Sequence, residues 1–376
     1  MAYVAVSGGK EAIEESIKLL EFYKSGTDKD VEIEAIENKL SLLVDRVMSE
    51  AGLYSKTYAA LALKQSEGCT EEAVFLLRAY RSTLTRNYYT NIVNTEEMRI
   101  VRRISAAFKD INGGQILGAT YDYTHRLINF DTENENSADL RLKILNRLSN
   151  QAPEEISPCP RVSSELKTEG LIDNYEENNQ NPHDITSKML EFPASRSARL
   201  QTLSRADTGF ISGLAYSALR GFGQVHPTVG ELRCGYVDLY VPYLYGESLD
   251  SPYNGESDDS SFDGESIFIG EILITEVECF NTADDKNQLK LAVGYGAVFG
   301  RNENKAVSMA VIDRELDNGG EYPTQDEEFV LTHGDSLEMN GFISHLKLPH
   351  YVTFQSKLDA VRKTRCDIQE RDEDER

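Results

Sequence analysis

The chain has 376 residues, 40% of them hydrophobic, and a formal net charge of −24. That length holds one large or two ordinary domains with ample core. The strong negative field excludes nucleic acid and acidic lipid as general partners, and no apolar run approaches the roughly 18 residues of a membrane span.

The opening MAYVAVSGGKEAIEES carries neither a basic nor an apolar signal region, which predicts a cytoplasmic protein. Cys69, Cys159, Cys234, Cys279 and Cys366 are scattered without a CxxC pair. They predict reduced thiols, with no cysteine zinc site or iron–sulfur cluster held by this chain alone. The acidity fits either a salt-rich cytoplasm or an ordinary solvated surface.

The first third reads as helix. Ile13, Ile17 and Leu20 recur at helical spacing, as do Ile33, Ile36, Leu40, Leu43 and Val47, and helices are expected over 57–64 and 71–85. Gly8-Gly9-Lys10 lacks the upstream glycine and following hydroxyl of a phosphate loop and reads as a turn. Between Arg78 and Arg126 the charge reverses, with Arg78, Arg81, Arg86, Arg99, Arg102, Arg103, Lys109 and Arg126 against four acids. These arginines either pair with distant carboxylates on solvated helix faces or grip an anion, because guanidinium forks match phosphate and phosphonate oxygens. The segment GATYDYTHRL that follows holds Asp122 and His125.

Residues 131–190 read as a polar connection with one helix at 140–148. PASRSARLQ then offers Arg196 and Arg199 as a second basic cluster, equally readable as a serine-capped helix start. A helix is expected over 209–220, then strands at 231–241, 267–280 and 289–299, and a helix at 303–316. An acidic loop, 246–266, interrupts the strands, and GYGAVFG has the wrong glycine spacing for a dinucleotide loop. A charged tail, 367–376, is expected to fray. Helices first and clustered strands afterwards give an α+β fold: a helical N-terminal part (1–130), then a mixed part (191–366) with a largely antiparallel sheet.

Near the C-terminus, HLKLPH sets His345 and His350 around Lys347. Pro349 opposes a helix through the pair, so both imidazoles are expected on a strand end or loop. They are either plain surface histidines or two ligands of zinc or a similar divalent metal whose third ligand lies elsewhere.

Long stretches carry a resemblance: LVDRVMSEAGL, EEAVFLLRAYRSTL, RRISAAFKDINGGQILGATYDYTHRL, SRSARLQ, GLAYSALRGFGQVHPTVGE, GYGAVFGRNENKAVSMAVIDREL, QDEEFVLTH and SHLKLPHYVTFQ. In these the chain resembles the PhnI family, core subunits of the bacterial carbon–phosphorus lyase complex. It departs at the acidic loop, in the Asn-rich stretch 172–180, and at Ala194, where a cysteine often stands. The resemblance implies a two-fold symmetric core complex with PhnG, PhnH and PhnJ, joined by the ATP-binding-cassette-like PhnK and PhnL. It implies a transferase subunit that helps a phosphonate displace adenine from MgATP, giving ribose 1-phosphonate 5-triphosphate. Alone, such a subunit is expected to release the base from purine nucleoside triphosphates; a non-catalytic scaffold is the alternative. It also implies that His345 and His350 bind a metal at the boundary with PhnJ. Against that chemistry, Arg102, Arg103, Arg196, Arg199 and Lys347 are candidate phosphate or phosphonate contacts. Asp122 and His125 are candidates to protonate the leaving base, with a buried hydrogen-bond network of Asp122 with Arg126 or Tyr123 as the structural alternative.

Overall fold

The computed structural model describes residues 9–26, 30–130, 136–147, 159–173, 182–242, 266–282, 289–348 and 351–374. Helices α1 (Gly9–Lys24), α2 (Ile33–Lys39), α3 (Ser41–Ala51), α4 (Lys56–Gln65) and α5 (Thr70–Ser82) come first. Strand β1 (Arg99–Ser105) follows, then α6 (Ser137–Leu145), α7 (Val162–Thr168), α8 (Arg196–Arg205) and α9 (Thr208–Ser217). Strands β2 (Thr228–Pro242), β3 (Ser266–Thr282) and β4 (Leu291–Phe299) lead into α10 (Glu303–Asn318). Helices α11 (Glu327–His333), α12 (Ser336–His345) and α13 (Tyr351–Asp374) complete the chain.

The four strands form one antiparallel sheet in the order β1-β2-β3-β4, so the α+β expectation holds. The predicted N-terminal helix over 33–47 breaks at Leu40 into α2 and α3. Their apolar faces (Ile36, Val44, Val47, Met48) meet Ala59 and Leu63 of α4 and Val74 and Leu77 of α5 in a core of their own.

β1 was not anticipated inside the helical third. Its arginines hide the alternation that marks a strand, yet it pairs with β2 from Arg99↔Tyr236 to Ser105↔Glu231. The acidic loop falls outside the described residues but for Ser266. The tail expected to fray is helical through Asp374.

One face of the sheet is apolar. Leu232, Val277, Cys279 and Val298 pack against Ala306, Met309, Ala310 and Ile312 of α10, with α8, α9 and α11 around them. GYGAVFG explains the closeness of that packing. A side chain at Gly294 would collide with the Ala310 carbonyl oxygen, and one at Gly296 with that of Ala306. The glycines let a helix approach rather than a nucleotide.

The opposite face is charged and still buried, covered by α7. There Arg103 pairs with Glu231 at 2.6 Å, and Arg161 pairs with Glu276 at 2.8 Å. The Arg233 guanidinium lies 3.5 Å from Glu276, and Ser163 Oγ donates to Glu278 at 2.7 Å. Burial pushes the Glu278 carboxyl above its usual range, with the Ser163 hydrogen bond opposing.

Two stability outcomes follow. Gly296→Ala pushes α10 off β4 and costs about 3 kcal/mol in urea unfolding. Arg103→Met strands the Glu231 carboxylate and costs about 3–5 kcal/mol, while Arg103→Met/Glu231→Leu recovers most of the loss.

Candidate functional site

Adjacent side chains on a strand point to opposite faces, and this separates the two arginines of RRIS. Arg103 enters the buried charged face. Its Nε donates to Glu231, Nη1 to the Asn112 carbonyl and Nη2 to the Pro160 carbonyl, the last at 2.6 Å. A guanidinium so enclosed braces the fold and does not face a ligand.

Arg102 lies on the other face, beside a bulge between Ile100 and Arg102. Its Nη2 donates to Asp122 Oδ2 at 2.6 Å and its Nη1 to the Leu117 carbonyl. Nε stands 2.7 Å from Glu303 Oε1 at an angle poor for a hydrogen bond, so that contact is an attraction of charges. The loop over 117–119 can lie this close because Gly118, at φ +61°, has no Cβ. A Cβ there would sit 2.7 Å from the Val101 carbonyl oxygen and 2.9 Å from Arg102 Cβ.

A cavity of about 330 Å³ opens beside Arg102. Its floor is the sheet (Val101, Cys234, Tyr236 and Leu273), and its walls are α2 and α3 on one side and the start of α10 on the other. The charged rim holds Lys56, Arg102 and Arg301 with Glu37, Asp45 and Glu303. Arg301 is fixed in place: its Nη2 donates to Ser41 Oγ at 2.5 Å and its Nε lies 3.5 Å from Asp45 Oδ2. Asp45, itself buried, also accepts from the Arg301 backbone N–H at 3.0 Å.

Glu303 carries the most useful electrostatics. Burial raises its carboxyl above the usual range, and the nearby Asp122 charge raises it further, against the lowering pull of Arg102 and Arg301. A carboxyl held toward its protonated form at a cavity rim suits proton donation. Asp122 is half-exposed and is shared by Arg102 and, at 3.4 Å, Arg126. Asp122 does contact Arg126, but both side chains are exposed, so this is not the buried network expected, and Arg102 is the closer partner. His125 is exposed in the same loop.

Arg196 and Arg199 stand elsewhere. Ser195 caps α8 by accepting from the Ala198 N–H, as the serine pattern suggested. Arg196 Nη2 donates to the buried Asp313 at 2.7 Å, and Arg199 lies 3.4 Å from Asp317 and 3.9 Å from Glu327. These pairs fasten α8 to α10 and α11. Ten helical positions separate Glu303 from Asp313, roughly 15 Å, so the two arginine clusters do not share one site.

His345 is the last residue of α12, which corrects the expectation of a strand end or loop for it. Asp335 starts that helix by accepting from the Leu337 and Glu338 N–H groups, a cap close enough to carry it as far as His345 before Pro349 intervenes. Lys347 is exposed in the turn that follows, and His350 lies outside the described residues. Among the described residues no three of His, Cys, Asp and Glu gather as metal ligands. The donor set here is one half-buried imidazole at a helix end with a second histidine five residues on in sequence, two ligands of the three or four that a divalent metal takes.

Sequence reasoning missed Glu303, Arg301, Asp45 and Lys56. The available signal was GRNENK between a strand and a helix, a position where polar side chains crowd a strand end; nothing in it told which chain segment would face it.

The chain is similar to bacterial proteins along its length. Residues 2–368 match the family described as bacterial phosphonate metabolism protein (PhnI). The alpha-D-ribose 1-methylphosphonate 5-triphosphate synthase subunit PhnI of Escherichia coli (strain K12) is 44% identical over 370 residues, spanning 96% of this chain and 98% of that protein. Its namesake from Rhizobium meliloti (strain 1021) is 40% identical over 376 residues, spanning 96% of this chain and 95% of that protein. The chain belongs to the PhnI family of bacterial phosphonate metabolism proteins.

Proposed function

We propose that this chain is the PhnI subunit of a ribose 1-methylphosphonate 5-triphosphate synthase, working in the cytoplasm within a carbon–phosphorus lyase complex. It takes part in displacing adenine from MgATP by a phosphonate and, alone, releases the base from purine nucleoside triphosphates. The likeness to two synthase subunits over nearly their whole length carries the pathway assignment. The cavity that joins Arg102 to a carboxyl raised toward protonation carries the assignment of chemistry.

In this reading the ribose sits in the cavity with the phosphates toward Lys56, Arg102 and Arg301. The C1′–N9 bond breaks through an oxocarbenium-like state, a phosphonate oxygen (or water) bonds to C1′, and adenine leaves with a proton. Glu303 supplies that proton, and Asp122 holds Arg102 in position. The rate gain rests on fixed geometry and on proton transfer timed to base departure. A nucleoside triphosphate is larger than a cavity of about 330 Å³, so its outer phosphates extend through the open side.

His345 and His350 would hold zinc or a similar divalent metal, with a further ligand from a partner such as PhnJ. Such a metal would supply Lewis-acid chemistry at that boundary. The surroundings favour assembly. Phe342, Ile343, Leu346 and Leu348 near His345 are exposed, as are Phe354, Val361 and Ile368 along α13. α1 buries none of its residues while exposing Ile13, Ile17 and Leu20. Helices gain most of their stability from a packed apolar face, so these faces suit partner subunits such as PhnG, PhnH, PhnJ, PhnK and PhnL. The same exposure favours a second reading, in which the chain is a scaffold and partners hold the catalytic groups.

Adenine release from MgATP by the purified chain, followed by chromatography, separates the readings. Glu303→Gln is expected to lower the rate about 100-fold or more. Because the group acts in its protonated form, wild-type release falls as pH rises through the raised carboxyl pKa, and Glu303→Gln flattens that fall. His345→Ala/His350→Ala keeps releasing adenine. No release by the wild type, with adenine formed only in the assembled complex, would establish the scaffold reading.

A further inference from the structure

The arginine excess between Arg78 and Arg126 is only partly absorbed by the cavity. Its first members, Arg78 and Arg81, meet at the C-terminal end of α3. Arg78 donates to the Glu50 carbonyl at 2.7 Å, to the Arg205 carbonyl at 3.1 Å and to Asp335. Arg81 Nη1 donates to the Ala51 carbonyl at 3.1 Å. Arg86 pairs with Asp184 and donates to Thr186 Oγ1 at 2.7 Å. Arg205 arrives from the end of α8.

Each interaction except the last accounts for its arginine. Arg78 and Arg81 satisfy the carbonyls that every helix leaves open at its end. Asp335 neutralises Arg78, and Asp184 neutralises Arg86. Arg205 gains nothing comparable: among the described residues its guanidinium makes no hydrogen bond or ion pair, and its Nε is buried without an acceptor. It nevertheless stands beside another cation. A methyl group built on Gly52 would lie 2.9 Å from Arg81 Nη1 and 3.2 Å from Arg205 Nε, so the two guanidinium groups border one point.

Two neighbouring cations without a carboxylate between them repel, and partial burial strengthens the repulsion. Burial, and after it the charges of Arg78 and Arg81, lowers the Arg205 pKa to about 10 against the smaller raising pull of Asp335 and Asp184, so it stays charged at neutral pH. Burial and the charges of Arg78 and Arg86 likewise lower that of Arg81. With Arg78 and Arg86 already paired, Arg81 and Arg205 leave two positive charges in excess. In a protein of net charge −24 such an excess is not a shortage of acids.

We infer that Arg81 and Arg205, backed by Arg78 and Arg86, form a second oxyanion site that takes a tetrahedral dianion, inorganic phosphate or an alkylphosphonate. Guanidinium forks match two oxygens of such a group at once, and two cations match its charge. The site is separate from the cavity at Arg102 and does not depend on the function proposed for it.

The test is calorimetric titration of the full chain in a phosphate-free buffer with inorganic phosphate and, in a parallel series, methylphosphonate. Using the Arg102→Gln variant as the parent weakens binding at the cavity, and any binding left there is the part that Arg205→Gln does not change. One equivalent of at least one of the two anions is expected to bind, and adding Arg205→Gln to weaken it tenfold or more. Arg205→Lys, which keeps the charge but loses the fork, should fall between, and its thermal melt checks that the fold survives should Arg205→Gln not fold. The series that binds more tightly identifies the anion as phosphate or phosphonate. Absence of binding in the Arg102→Gln parent, or binding that Arg205→Gln and Arg205→Lys leave unchanged, would overturn the site and leave Arg78 and Arg81 as helix caps only.

Discussion

The contact between α10 and β4 sets the rest of the structure. Gly294 and Gly296 remove the side chains that would hold the helix away, and Ala306 and Ala310 present small faces to them. The close approach is what lets one helix carry so many polar groups into the interior. Lys305 reaches Ser49 Oγ at 3.2 Å and ties the helical bundle to the sheet. Asp313 takes Arg196 from α8 and the Tyr295 backbone N–H at 3.0 Å. Glu315 accepts from the Gln224 and Val225 N–H groups at 3.3 and 3.2 Å. Glu303, at the start of the same helix, is thereby fixed against Arg102.

Charge burial is divided between the two faces of the sheet. On the face under α7, guanidinium and carboxylate groups are packed against one another out of water, although Arg233 Nε and Nη1 and one Glu276 oxygen lack hydrogen-bond partners among the described residues. On the face under α10, the charges at the strand end border open space instead. Arg102 has two carboxylates, and Arg301 is held by a hydroxyl and a carboxylate without being enclosed. The neighbouring residues Arg102 and Arg103 thus differ in role because the pleat sends them to different environments.

Much of this was legible in the sequence where a period was clean. Ile13, Ile17 and Leu20 gave α1, and the β-branched runs gave β2, β3 and β4 close to their observed places. β1 was missed because two arginines occupy positions where an apolar alternation would have announced a strand. α12 was missed around His345 because a proline four residues later argued against helix, while the Asp335 cap argued for it more strongly. Arg102 stood out by the local charge reversal and Asp122 only against the chemistry that the resemblance implied, and the fold brings them together. Glu303 and Arg301 were invisible for a different reason: their significance depends on a surface made jointly by β1, α2, α3 and α10, and no local pattern reports a long-range juxtaposition. Arg196 and Arg199 read equally as an anion cluster or a helix start, because a basic cluster in sequence does not show its partners, and the fold pairs them with carboxylates of α10 and α11.

In the proposed function, contacts fall to the exposed apolar faces of α1, α12 and α13 and chemistry to the open-sided polar cavity, so the two lie in different places. That separation is the central claim, and its most direct test is a structure of this chain with magnesium and a non-hydrolysable ATP analogue bound. The account predicts the ribose in the cavity, with C1′ facing the Glu303 carboxyl and phosphate oxygens on Arg102 and Arg301. A nucleotide seated against Arg196 and Arg199, or bound beside His345 with the cavity left empty, would contradict it.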